Sequence, residues 1–184
     1  MKGAIFTSLA EMVEEKFDLN LWQNMLNSCP VSNGGGYSSG GIYPDSELMC
    51  LVGQLQKQLD VPVEDLLRSF GEYLFGNLSK LHSDYLLNHS TAKSFLLSVH
   101  DVIHTDIEKL YPGTSFPFID YRDGGDNRLT IIYKSPRKLC FLAEGLIQGV
   151  AQKYACEAII KHPVCMHNGD ENCILEIEFR EKSK

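Results

Sequence analysis

Residues 92–113, AKSFLLSVHDVIHTDIEKLYPG, separate two kinds of sequence. At about 100° per residue, Phe95, Leu96, Val99, Val102, Ile103, Ile107 and Leu110 share one broad apolar stripe, which predicts an amphipathic helix from Ala92 to Leu110. Pro112 and Gly113 stop it. Upstream the periodicity stays helical. Ile5, Leu9, Met12 and Val13 recur at helical spacing, and Leu19 to Leu26 continues with Trp22 and Met25 after a break near Asp18. Asp45 to Gln58 and Val61 to Leu78 follow, the second led by Pro62, which suits a first helical position. Ahead of them Ser32 to Gly41, with five glycines and three serines, reads as a loop.

Downstream the pattern changes. Leu129 to Ser135 alternates like a strand, Pro136 to Tyr154 reads as helix, and Cys156 to Lys161 and Ile174 to Phe179 read as strands around a polar turn. Leu175, Ile177 and Phe179 make one face of the last strand, against Glu176 and Glu178 on the other. The expectation is an α+β fold, a helical N-terminal half packed on a C-terminal half with a small antiparallel sheet and a helix, all in a single domain over 1–184.

With 17 Lys and Arg against 24 Asp and Glu, the net charge of −7 disfavours a phosphate-tracking nucleic-acid binder. Glu11, Glu14 and Glu15 interrupt the only apolar stretch of the N-terminus, so neither a secretory signal nor a membrane span fits, and a cytoplasmic location is expected. Six cysteines spread over the chain then point to reduced thiols or metal ligands more than to disulfides, with Cys29, Cys50 and Cys156 expected as packing thiols.

Three groups of residues carry chemistry. His100 and His104 lie one turn apart, flanking the apolar stripe, either as histidines on the shoulder of a core helix or as a two-histidine zinc site. The second option would make the chain a zinc-binding hydrolase, but Asp101 stands where zinc proteases need the longer Glu. Tyr133 and Ser135 share a strand face with Arg137 just beyond, so two hydroxyls and a guanidinium can converge as a clamp for a carboxylate, or stand solvated at a sheet edge. Cys140, His162, Cys165 and Cys173, spaced C-x21-H-x2-C-x7-C, suit tetrahedral zinc, with His167 as an alternative nitrogen donor and unrelated positions or a disulfide as rival readings.

The segment from His104 to Tyr111-Pro112-Gly113 resembles the proximal-histidine segment of the heme nitric oxide/oxygen binding family, the H-NOX domains, which include the heme domain of soluble guanylate cyclase. Tyr133-Lys134-Ser135-Pro136-Arg137 matches the family's Y-x-S-x-R signature in register with that histidine, and Met1-Lys2-Gly3 and Phe70-Gly71 also match. The resemblance covers the whole chain. It implies heme b buried between the two halves, with His104 as proximal iron ligand and Tyr133, Ser135 and Arg137 on the propionates. Ile5, Leu9, Leu74, Leu78, Leu142 and Leu146 fall where the family lines the distal pocket, and Pro117 with Ile5 where it bends the porphyrin. Oxygen-holding members place a hydrogen-bonding Tyr at the position of Leu142. An all-aliphatic pocket is therefore expected to take nitric oxide and CO but not O2. The implied role is a non-enzymatic, stand-alone sensor that regulates a separate histidine kinase or cyclic-di-GMP enzyme, since the chain ends at Lys184. Some bacterial members resemble the chain at the cysteine cluster, which the guanylate cyclase heme domain lacks, so a bacterial source is expected.

Overall fold

The computed structural model describes residues 1–181. The helical periodicities become α1 (Gly3–Lys16), α2 (Leu19–Asn27), α3 (Asp45–Leu59) and α4 (Val63–Leu81). Asp18 makes the break between α1 and α2 by accepting the Leu21 N–H at 2.7 Å as an N-cap. Pro44 and Pro62 sit just outside α3 and α4 rather than in their first turns. Phe6, Leu9, Met12, Leu48, Leu51, Leu55, Phe70 and Leu74 form the core of this half.

The short α5 (Ser83–Leu87), which the sequence pattern does not announce, leads to the dividing helix. That helix is built in three pieces: α6 (Ala92–Ser98), a π-helical turn from Val99 to His104, and α7 (Thr105–Leu110). Thr91 and Ser94 close a capping box at its start. A π turn adds a residue to the helical register, so the stripe beyond it rotates. Val102 and Leu110, expected on the buried face, are accordingly exposed.

Four strands follow in the order β1-β2-β4-β3, all antiparallel: β1 (Phe118–Asp123), β2 (Arg128–Lys134), β3 (Cys156–Val164) and β4 (Cys173–Glu181). β1 escapes the pattern because it is an edge strand with three charged residues in six. Leu175, Ile177 and Phe179 of β4 are buried, as their alternation predicts. They join Phe75, Phe95, Ile147 and Val150 in a second core.

The remaining helix, α8 (Cys140–Lys153), lies between sheet and α4 and fuses the halves. Where α4 and α8 cross, a Cβ on Gly71 would meet the Leu142 carbonyl at 2.4 Å, and one on Gly145 would meet the Arg68 carbonyl at 2.0 Å. Only glycine permits that approach. No described helix is long and apolar enough to cross a membrane.

The expectation of unpaired packing thiols fails at two of its three positions. Cys29, just past α2, and Cys50, on α3, are joined in a disulfide with Cα atoms 5.9 Å apart. Compositional reasoning could not see this, because the spread of cysteines along a chain says nothing about which helices pack side by side. Cys156 keeps a thiol, whose sulfur lies 3.5 Å from the Ala151 carbonyl.

Candidate functional site

A cavity of about 610 Å³ lies between the helical half and the sheet half. That is a size typical of sites for small molecules and cofactors. Ile5 of α1, Leu74 and Leu78 of α4, and Leu142 and Leu146 of α8 line it together with Val99, Ile103, His104 and Ile107 of the dividing helix. Leu9 does not reach the wall. One turn further along α1, it is buried in the core of the helical half.

His104 stands on this wall with its ring stacked on Phe116, centroids 4.2 Å apart. Its Nδ1 is buried without a partner, as is that of His100. Burial, and then the nearby His100, lower the His104 pKa to about 4. The ring is therefore neutral at physiological pH, the form that gives a nitrogen lone pair to a metal. A second cavity of about 390 Å³ reaches His100 and His104 beside Glu108, and Pro117 borders both cavities.

One end of the main cavity is polar. Tyr133 and Ser135 are buried there, and burial pushes the Tyr133 hydroxyl up to about 12. Arg137 does reach this end, but part of its fork is occupied: Nε donates to Asp45 Oδ2 at 2.5 Å and Nη1 to the Ser115 carbonyl at 2.9 Å. The Met1 ammonium lies 3.1 Å from the other Asp45 oxygen. Burial works to raise the Asp45 carboxyl, and the hydrogen bonds and charges of Arg137 and the ammonium outweigh it, holding it below the usual range. Lys2 adds a second side-chain cation, donating to the Gly40 carbonyl at 3.0 Å over the Tyr111 ring. Sequence reasoning missed Asp45 and assigned Lys2 no task, although Lys2 lay within the matching N-terminal tripeptide. It also missed Tyr121, whose buried hydroxyl faces the cavity beside the His100 main chain and completes no hydrogen bond.

The cysteine pattern closes on itself. Single ligand atoms of Cys140, His162, Cys165 and Cys173 lie within 4.8 Å of one another. The Cys140 and Cys165 sulfurs are 3.9 Å apart, close to the ~3.8 Å separation that tetrahedral zinc with ~2.3 Å bonds to sulfur requires. Cys140 begins α8, His162 lies on β3, and Cys165 and Cys173 flank the turn between β3 and β4. In register, Cys173 faces Tyr133, so β4 and β2 link this corner to the polar end of the cavity. His167, the alternative donor, instead points Nε2 at the Lys138 carbonyl at 2.8 Å. Among the described residues this is the one group that converges for a metal, so the reading of His100 and His104 as a zinc hydrolase finds no third ligand.

A helical half and an antiparallel sheet that enclose a large apolar cavity, with a neutral histidine on its wall and cations at one end, define a domain for a bulky apolar cofactor with an anionic edge. The chain belongs to the Haem-NO-binding family, whose model matches residues 2–162. It is similar to an H-NOX protein from Shewanella oneidensis solved in the Fe(II)NO state, at 35% identity and a TM-score of 0.93 over 98% of this chain and 100% of that one. An Fe(II) unliganded H-NOX protein from K. algicida is 28% identical, with a TM-score of 0.92 over 100% of this chain and 99% of that one. Soluble guanylate cyclase gcy-35 of Caenorhabditis elegans is 23% identical over 88% of this chain, which spans 24% of that cyclase. The protein is thus a heme-binding gas-sensor domain. The cavity fits that group: an apolar interior, an unpartnered neutral imidazole for iron, and hydroxyl and cationic donors for carboxylates.

Proposed function

We propose that this protein senses nitric oxide at ferrous heme, also takes CO, does not hold O2, and regulates a separate histidine kinase or cyclic-di-GMP enzyme as a switch rather than a catalyst. The observation that carries the reading is the aliphatic wall of Ile5, Leu74, Leu78, Leu142 and Leu146 in the cavity that His104 borders. Heme, when bound, supplies iron with an open position for a diatomic gas. His104 would offer its lone pair to the metal. Tyr133, Ser135 and the unoccupied donors of Arg137 would hold the propionates, with Lys2 as a second cation. Pro117 and Ile5 would lie against the macrocycle. Leu142 gives no donor to a bound gas, which penalises oxygen most. Tyr121, whose hydroxyl lies beside the His100 main chain, lines the same cavity and is the phenol to test should an oxygen complex persist.

We place the protein in the cytoplasm of a bacterial cell. The Cys140, His162, Cys165 and Cys173 corner is proposed to hold one zinc ion, clipping the β3–β4 turn to the start of α8. Anaerobic reduction followed by titration with each gas and exposure to air tests the main reading. A shifted Soret band with nitric oxide and CO, and no persistent oxygen complex, is expected. A stable oxygen spectrum would overturn the assignment of the distal wall. Metal analysis of freshly reduced protein tests the corner, with about one zinc per chain expected.

A further inference from the structure

Glu144 is buried on α8, where its neighbours Leu142, Gly145 and Ile147 are apolar or lack a side chain. A carboxylate there costs several kcal/mol unless its oxygens are matched. Both are. Oε1 lies 2.6 Å from Nδ1 of His162 on β3, and Oε2 accepts Nε–H of Arg68 on α4 at 2.6 Å. Arg68 also reaches Asp65 at 2.8 Å and lies over the Phe141 ring, whose edge meets the His162 ring. The other nitrogen of His162, Nε2, is buried with no partner at all.

We propose that Glu144 is the positioning residue of the metal corner. The proposal rests on the reading of that corner as a zinc site. Glu144 accepts the Nδ1–H of His162 and so fixes the tautomer in which Nε2 carries the free lone pair for the ion that Cys140, Cys165 and Cys173 share. A carboxylate behind a ligating imidazole orients the ring and makes it a stronger donor. Arg68 holds the carboxylate in turn. The charge count agrees: three thiolates and a divalent ion leave one net negative charge, and the Arg68–Glu144 pair adds none, so the carboxylate does not make the corner more anionic. Geometry gives the relay a second effect. Arg68 and Gly71 belong to α4, Glu144 and Gly145 to α8, and the ion pair lies at the crossing where the two backbones touch. The metal ligand on the sheet is thereby fastened, through one carboxylate, to the helix that brings Leu74 and Leu78 to the gas cavity.

The test uses the full chain, in its heme-bound form, with Zn2+ as the probe. Affinity is read by competition with a chromogenic chelator, and the protonation of His162 by 15N–1H correlation of its ring. Wild type is expected to show Nδ1–H protected from exchange and a metal-shifted Nε2. Glu144→Gln should weaken zinc binding about 10- to 100-fold, with circular dichroism unchanged, and Glu144→Asp, one methylene short of His162, should not restore it. Unaltered affinity in Glu144→Gln overturns the proposal while leaving the zinc site intact. Wild type that takes up no zinc overturns the metal reading, and the proposal with it. Should Glu144→Gln not fold, the wild-type ring decides: zinc on Nδ1 would break the bond to Glu144 and refute the assignment.

Discussion

The gas cavity and the cysteine corner proposed to hold zinc lie on either side of α8, which is the wall between them. Leu142 and Leu146, four residues apart, face the cavity; Cys140 and Glu144, also four apart, face the corner. The regions are assembled in opposite ways. The cavity draws side chains from most elements between Met1 and Leu175, each adding a little apolar surface, and His104 is the one lining residue assigned to the iron. The corner takes all four ligands from Cys140 to Cys173, on one helix start and one strand turn. A site built from many weak contributors tolerates loss of any one; a site built from four ligands does not. The exception in the cavity is His104, the single nitrogen proposed to bind the metal.

The sharpest way to break this contrast is His104→Gly. It is expected to lose heme during purification and to regain it only when imidazole is supplied, as absorption at the Soret band will report; heme held unaided would show that the cavity wall alone suffices. Next in size is Gly145→Ala at the shared wall, where the added carbon collides with the Arg68 carbonyl. Thermal or urea unfolding should register about 1 to 3 kcal/mol of lost stability or more, with both heme and metal retention falling together. Loss of only one would mean that α8 does not serve both regions. Arg137→Ala is expected to weaken heme retention by about 1.5 to 3 kcal/mol, measured by transfer of heme to an apo-globin acceptor, and to leave metal content unchanged. The smallest effect is expected from Lys2→Met, about 0.5 to 1 kcal/mol from a lost cation–aromatic contact. Heme transfer faster than from Arg137→Ala would rank Lys2 above the arginine.

Much of this was readable before any coordinates, and the reason differs by region. The cysteine corner draws on one helix start and one strand turn, so spacing was enough to group Cys140, His162, Cys165 and Cys173, while the neighbours that separate His162 from His167, Glu144 and the Lys138 carbonyl, are visible only in the fold. His104, Tyr133, Ser135 and Arg137 were readable as a signature in register. What stayed hidden depends on partners distant in sequence. Asp45 meets Arg137 across 92 residues, and Arg68 meets Glu144 across 76, with no local pattern to announce either pair. Leu9 has the right spacing from Ile5 for the cavity wall, yet helix packing covers it first. The π turn was hidden for a different cause: a period of 3.6 was assumed, and one surplus residue at Val99 to His104 does not disturb the list of apolar positions, only where they point.

Gly71 and Gly145 bear on how any motion can travel through this protein. With no side chain between the two backbones, sliding α8 by one residue along α4 would drive Glu144 or Leu146 into the main chain of Arg68 and Gly71. Mechanically the two helices form a beam, stiff in translation, with the Arg68–Glu144 ion pair as a bolt through it. Among the described residues the dividing helix has no glycine contact of this kind: Val99, Ile103 and Ile107 meet the cavity through side chains, its ion pair with the sheet, Lys93 to Asp123, lies at the far end in α6, and the π turn gives the segment one residue of slack immediately before His104. Strain entering the cavity therefore meets a rigid side and a compliant side, and the compliant side is the one that carries His104, the proposed iron ligand.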